Sequence, residues 1–325
     1  MVIDMNHLHI RLGLCCIFRG QPIRFRRTTA RYISRFSRPE QLQRISSLCL
    51  HNAQSLHKAL RYCAAHGIGD FRINSQILPL YTHPVVGYTL RDLPNGADIK
   101  EGLQLCGHLC RSRDIRTSFH PDQFTLLSSP KQKVTENALA ELDYQAMVAE
   151  FTGADVINIH GGGAYGNKPD ALARLRRHLA YLPGRVRQRL TLENDDRVYP
   201  PEDLLPLCLE EGIPLVYDVH HHRCLPDRLS IAEATDKALH TWNREPLFHI
   251  SSPKLGWQGK DPRQHHDYID PMDFPECWLP HTLTVEVEAK AKELAVARLQ
   301  QDLRLLAKRG TPHTLHSNCN GEVPS

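Results

Sequence analysis

The sequence predicts a single (β/α)8 TIM barrel, an α/β fold with a metal cluster at the C-terminal mouth of its strands. Three observations predict it. Short apolar runs alternate with amphipathic ones eight times within about 300 residues, which implies a parallel sheet and suggests a closed ring. No shift in composition divides the chain into halves. Histidine, aspartate or glutamate stands at or just after nearly every predicted strand from the second to the eighth. In an open sheet those ends would be strung along an edge, whereas closure makes them neighbours. The barrel is expected over residues 1–310, with 311–325 as a loosely ordered tail.

The elements follow in order. Arg11 to Ile17 is an apolar run and the first strand. From Pro39 to His66 apolar residues recur at helical spacing, and Gly67 stops the helix. Phe71 to Ile73 forms strand two, leading to His83-Pro84. A helix over Ile99 to Arg111 precedes strand three, Arg116 to Phe119, which ends in His120-Pro121-Asp122-Gln123-Phe124. The helix from Val134 to Thr152 leads to strand Asp155 to Ile159 and His160. Asp170 to Tyr181 leads to Arg189 to Leu192, followed by Glu193-Asn194-Asp195-Asp196. A helix opened by Pro201 and closed by Gly212 precedes the short strand Leu215 to Tyr217, which runs into Asp218, His220, His221 and His222. Ser230 to Trp242 then leads to Leu247 to Ile250, which carries His249. A Gly-, Pro- and His-rich loop holds His265 before the last strand, Thr284 to Val287, and Glu288. The final helix spans Ala291 to Lys308, with Gly310 placed to end it.

Composition bounds the function. Hydrophobic residues at 41% suffice for a full core. No run approaches the roughly 18 apolar residues of a membrane span, and Met1 to Ile10 carries no signal-peptide pattern. The ten cysteines are scattered, so they read as reduced thiols of a cytoplasmic protein, expected to be a monomer. A net charge of +4 is no gross nucleic-acid signature. Locally, however, Arg24, Arg26, Arg27, Arg31, Arg35 and Arg38 follow one another with no acidic residue until Glu40. Such a run is usually a solvated face, and it is also what a phosphate-contacting loop needs.

The candidate ligands are His83, His120, His160, Glu193, Asp218, His221, His249, His265 and Glu288. Nine exceed what one ion takes, so two or three ions are implied. Nitrogen and carboxylate donors without a thiolate set favour manganese, zinc or iron over a closed structural zinc site. Clustered divalent ions suit phosphoryl chemistry and need no side-chain nucleophile. Glu193 after Leu190-Thr191-Leu192 would be costly at a barrel mouth unless charge-paired. Lys290 and Lys292 are available as partners for Glu288. Asn194, Asp195 and Asp196 read as supporting groups or a helix cap, not as ligands. Gly161 to Gly163 lack the spacing of a phosphate-binding loop.

These stretches resemble the UV damage endonucleases. The likeness rests on Arg11-Leu12-Gly13, Thr82-His83-Pro84, Ser118-Phe119-His120-Pro121 with Gln123, Asn158-Ile159-His160, Leu192-Glu193-Asn194-Asp195-Asp196, Asp218-Val219-His220-His221-His222, His249-Ile250-Ser251-Ser252-Pro253, His265 before Asp267-Tyr268, and Glu288-Ala289-Lys290-Ala291-Lys292-Glu293. The resemblance implies a barrel enzyme that nicks DNA immediately 5′ of UV photoproducts and other lesions. The nine ligands would hold up to three manganese ions, with the chemistry centred on Glu193, His249 and Asp218. Gln123 and Phe124 would wedge into the duplex, and Arg24, Arg26 and Arg27 would grip phosphates. Phe124 stands where Tyr is common. Leu247 replaces an expected lysine that can carry a carbamate, and Leu14 and Phe18 replace Tyr and Asn where the lesion is received. The alternative is a metal-dependent small-molecule barrel enzyme, of the sugar-isomerase kind. A DNA-binding protein with weakened chemistry is a third possibility. A sugar enzyme needs neither the arginine segment nor Gln123-Phe124.

Overall fold

Eight short strands pair side by side, all parallel, in the order β6-β5-β4-β3-β2-β1-β8-β7. They are β1 (Ile10–Cys15), β2 (Asp70–Ile73), β3 (Arg116–Phe119), β4 (Val156–His160), β5 (Leu190–Glu193), β6 (Leu215–Val216), β7 (Leu247–Ile250) and β8 (Leu283–Val287). The ring closes between β6 and β7 through the bridge of Asp218 with His249, where the His249 amide donates to the Tyr217 carbonyl at 3.0 Å. The structure, a computed structural model, describes residues 9–309. The expected tail and the helix stop at Gly310 lie outside the described residues.

Among the described residues ten helices surround the ring: α1 (Ala30–Ile33), α2 (Arg38–Ala65), α3 (Gly96–Ser112), α4 (Gln132–Thr152), α5 (Lys168–Leu179), α6 (Gly184–Arg187), α7 (Pro201–Glu211), α8 (Val219–Cys224), α9 (Ile231–Leu239) and α10 (Glu293–Arg309). Their ends have local causes. Ser37 and Glu40 form a capping box at the start of α2, with Pro39 in its first turn. Gly212 takes a left-handed φ of 61° to end α7. Gly107 lets α3 approach α4: a Cβ there would stand 2.5 Å from the Phe151 carbonyl oxygen.

Alternation sorts each strand into two faces. Leu14, Phe71, Phe119, Ile157, Leu192, Phe248 and Val285 face the helices and join one continuous core with Leu56, Leu60, Leu103 and Trp278. Val156, Val216 and Leu247 form a separate apolar cluster with Trp242 inside the ring. Much of the remaining interior is polar: Arg72, Ser118, Asn158, Thr191 and Glu286 occupy inward positions on β2, β3, β4, β5 and β8.

Three boundaries differ from expectation for physical reasons. β1 stops at Cys15 because Cys16 adopts φ 55°. β6 stops before Tyr217 because Asp218 caps α8, its side chain accepting the His221 amide. The last helix starts at Glu293, after Lys292 at φ 56°, and the Glu293 carboxylate accepts the amides of Arg19 and Gly20. Among the described residues no helix is long and apolar enough to cross a membrane, and the cysteines are free thiols.

Candidate metal centre

Glu193, the last residue of β5, is fully buried and organises the mouth. Histidine nitrogens face its carboxylate at 2.9 Å (His120 Nε2), 3.1 Å (His249 Nδ1), 3.3 Å (His221 Nδ1) and 4.0 Å (His160 Nε2). Asn158 donates to its Oε2 at 2.5 Å and is itself held by Thr191. Asp218, also buried, is fixed by a reciprocal pair of bonds between its backbone and the Asn194 amide, both at 2.9 Å. Asn194 therefore positions a ligand-type residue, as its sequence neighbourhood implied. Asp195 accepts three backbone amides of its own loop.

Three groups bring ligand atoms within 4.8 Å of one another: His120, His160 and Glu193; Glu193, Asp218 and His221; and His120, His249 and Glu288. Glu193 belongs to two of them and His120 to two. Asp218 Oδ2 and His160 Nδ1 are buried without a hydrogen-bond partner. Such orphaned atoms beside convergent carboxylates and imidazoles fit divalent cations, because the cluster otherwise leaves polar atoms unsatisfied. His120 Nδ1 donates to the Pro121 carbonyl at 3.2 Å, which leaves Nε2 as the free nitrogen toward Glu193.

The charges are tightly coupled. Burial works against ionising Glu193, yet the surrounding histidines, His249 foremost, hold its carboxyl well below the usual range. Burial opposes charging His249 too, but Glu193 lifts it to about 10. Burial also opposes charging His221, which is nonetheless raised by Asp218 and Glu193. Burial, helped by the neighbouring His120 and His221, pushes His160 down against the pull of Glu193. The partner of Glu288 is Arg72, at 2.7 Å, rather than Lys290 or Lys292. Arg72 holds Glu288 well below the ordinary carboxylate range against the effect of burial.

Not every candidate converges. Of the Asp218–His222 segment, Asp218 and His221 face the centre. His222 is tied between the Tyr217 hydroxyl (2.8 Å) and Asp227 (3.0 Å), and His220 packs its ring on Trp257. The turn into α8 thus separates Asp218 and His221, the two candidates of this segment, from His220 and His222. His265 stands at the rim, its Nδ1 3.2 Å from Ser251 Oγ and 3.8 Å from Glu288. His83 joins none of the three groups, and its Nδ1 accepts the amides of Val85 and Val86. Leu14 and Phe18 do not border the mouth as expected. Both are buried, Phe18 against Tyr62 and Phe71, and the cleft beside β1 is lined instead by Cys15, Cys16, Arg72, His265 and Glu288. Leu247 is buried in the small apolar cluster.

Gln123 and Phe124 sit on an exposed turn after β3, held by Asp122, whose side chain accepts the Phe124 amide; the Phe124 ring is 72% exposed. Phe124, His83 and Thr28 border one cleft of about 680 Å³. Arg38 binds the Val86 and Gly87 carbonyls, which ties the arginine segment to the same rim. Arg24 folds back on the carbonyls of Phe18, Gln21 and Ile23, while Arg26 and Arg27 are exposed. Arg72, Ser118 and Glu286 escaped the sequence reading. The available signal was period two: each lies two residues before Asn74, His120 and Glu288 respectively, on the inward face.

Fold and site together define a (β/α)8-barrel enzyme with a histidine–carboxylate centre at its mouth. Residues 10–315 match the family UV-endonuclease UvdE. A UV DNA damage endonuclease of Bacillus velezensis is 37% identical over 300 residues, covering 89% of this chain and 91% of that protein. The crystal structure of SacUVDE superimposes with TM-score 0.81 at 26% identity, over 92% of this chain and all of that one. The chain belongs to the UvdE family and is a DNA-repair endonuclease, a DNA-cleaving hydrolase. D-psicose 3-epimerase from Clostridium cellulolyticum H10 matches at TM-score 0.53 and 12% identity, over 93% of this chain and all of that one. That likeness shows the barrel alone and does not favour a sugar enzyme.

Proposed function

We propose that this endonuclease holds two or three divalent ions, Mn2+ foremost with Zn2+ or Fe2+ as alternatives, and nicks damaged duplex DNA immediately 5′ of UV photoproducts or other distorting lesions. The observation that carries this is the sharing of Glu193 between two histidine–carboxylate groups, with the His249–Glu288 group beside them. Adjacent ion positions suit phosphodiester hydrolysis better than a single closed structural site. His120, His160, Glu193, Asp218, His221, His249 and Glu288 would hold the ions, with His83 and His265 as rim candidates. When bound, divalent ions supply Lewis acidity to the scissile phosphate and an activated water.

The chain's own residues do the rest. Glu193, Asp218 and His249 form the reaction centre, and Asn158 and Asn194 keep the first two in place. Phe124 fills the gap left by an extruded dinucleotide, and Gln123 bonds the orphaned bases. Arg26 and Arg27 take phosphates outside the mouth, with Arg24 bracing that segment from within. A monomer suffices, since one chain supplies every ligand named. Free thiols fit a reducing cytoplasm.

The test is a nicking assay with manganese-loaded protein on duplexes bearing one pyrimidine dimer, one abasic site, or no lesion. The expected result is a nick 5′ of a lesion, lost with chelator. Absence of any nick, with metal content confirmed, would overturn the proposal.

A further inference from the structure

Beneath the centre lies a carboxylate that the reaction has not accounted for. Glu286 is an inward residue of β8, 1% exposed, and directly opposite His249 in the β7–β8 register. Both of its oxygens are held: the Ser118 hydroxyl donates to Oε1, and Arg72 Nε donates to Oε2 at 2.5 Å. The third contact joins Oε2 to His249 Nε2 at 3.1 Å.

The two nitrogens of His249 face different worlds. Nδ1 looks into the centre, 3.1 Å from Glu193, 3.6 Å from Glu288 and 3.9 Å from Asp218. Nε2 looks down the barrel at Glu286. An imidazole that gives Nδ1 to an ion must carry its proton on Nε2, and that proton needs an acceptor. Arg72 Nη2 also lies 3.0 Å from Nε2, but a guanidinium has only donors. Glu286 is the acceptor in reach.

A bland role for Glu286 is available, as counter-ion to Arg72. Yet Arg72 already has Glu288 at 2.7 Å, and a counter-ion does not need an oxygen within 3.1 Å of a ligand-type histidine's second nitrogen. Nor is the level below His249 polar: Leu247 belongs to the apolar cluster with Val156 and Val216.

We infer that Glu286 is a positioning residue for the metal centre: clamped by Arg72 and Ser118, it accepts the Nε2 proton of His249, fixes the tautomer that offers Nδ1, and strengthens that nitrogen as a ligand. Carboxylate–histidine–metal relays of this kind typically change metal affinity about 10- to 100-fold when the carboxylate is altered. The inference rests on the proposed reading of the cluster as a metal centre.

The experiment is a Mn2+ titration of chelator-stripped protein, by calorimetry and by equilibrium dialysis with metal analysis. Wild type, Glu286→Gln, His249→Ala and the double variant are compared, with thermal melting of each metal-free protein as the control for folding. Wild type is expected to bind. Glu286→Gln should weaken one class of site by about 10- to 100-fold, and should add nothing in the His249→Ala background, because Glu286 acts through His249. A loss in the double variant equal to the sum of the two single losses would mean that Glu286 supports the barrel generally, and would overturn the inference. So would wild-type affinity in Glu286→Gln. If wild type itself binds no manganese, the metal-centre reading falls and this inference with it. Should Glu286→Gln fail to fold, Glu286→Asp keeps the charge beside Arg72 and draws the carboxylate back from His249. It is expected to lose affinity in the same class of site, and unchanged affinity would again overturn the inference.

Discussion

Glu193→Gln keeps the shape of the side chain and removes one charge from the middle of the centre. In metal-free protein that charge faces His120, His249 and His221 at 2.9, 3.1 and 3.3 Å. Against burial, it raises the His249 pKa to about 10. Without it the charge of His249 keeps chiefly the support of Glu286, and as an upper bound the roughly 3 units between pH 7 and 10 correspond to about 4 kcal/mol at ~1.4 kcal/mol per unit. Breaking a buried ion pair by removing one partner costs a similar amount, roughly 3–5 kcal/mol. For a chain of this size the melting midpoint should fall by on the order of 10 °C. The pH dependence has a definite sign. A histidine whose pKa is raised by folding stabilises fully below its ordinary value of 6.5, and the stabilisation is lost as pH rises through about 10. The penalty of Glu193→Gln is therefore large at pH 7 and shrinks toward pH 10. Denaturant unfolding of chelator-treated wild type and variant at both pH values measures it. With Mn2+ added, the variant should also lose metal uptake and nicking, since it lacks a ligand shared by two groups. Superimposable unfolding curves at pH 7, or full manganese uptake by the variant, would refute the reasoning.

Other outcomes follow from the same geometry. His160→Ala and Asp218→Ala should each abolish nicking with circular dichroism unchanged, and undiminished cleavage by either would remove that residue from the centre. Phe124→Ala, at an exposed turn, should weaken binding to lesion-bearing duplex by roughly 1–3 kcal/mol and leave intact duplex nearly unaffected; equal losses on both would exclude a probing role. Asp70 is fully buried, and burial, reinforced by Glu286, raises its carboxyl pKa well above the usual range. Its folded form keeps a proton that the unfolded chain releases above about pH 4, so wild-type stability falls as pH rises from there. Asp70→Asn should gain on wild type as pH increases from 4 to 7, and parallel stability curves would show that Asp70 is ionised in the fold. Gly107→Ala would drive a methyl against the Phe151 carbonyl and should destabilise by roughly 1–3 kcal/mol, read from denaturant unfolding.

The barrel and most of its centre were legible in the chain because both obey short periods. Alternation with period two marks the inward face of each strand, and parallel closure then brings strand ends together. His120, His160, Glu193, Asp218, His249 and Glu288 could thus be placed at one mouth without coordinates, whereas period two carried past Val216 and Asp218 selects His220, and it is helix α8 that brings His221 inward instead. The positions of His83 and His265 were not legible to the same degree, since both lie in loops, where period two says nothing about direction.

What the sequence by itself determined is the set of strand-end histidines and carboxylates and the ring that gathers them, because both depend on local pattern and on the geometry of parallel closure. Only the tertiary structure decided which of those side chains meet and what holds them. Asp218 caps a helix and so turns His220 and His222 away; Leu14 and Phe18 face the helices; and Arg72, Ser118 and Glu286 build the floor of the centre. These are contacts between residues up to 214 apart in sequence, set by the register and curvature of a closed sheet, and no local period encodes them.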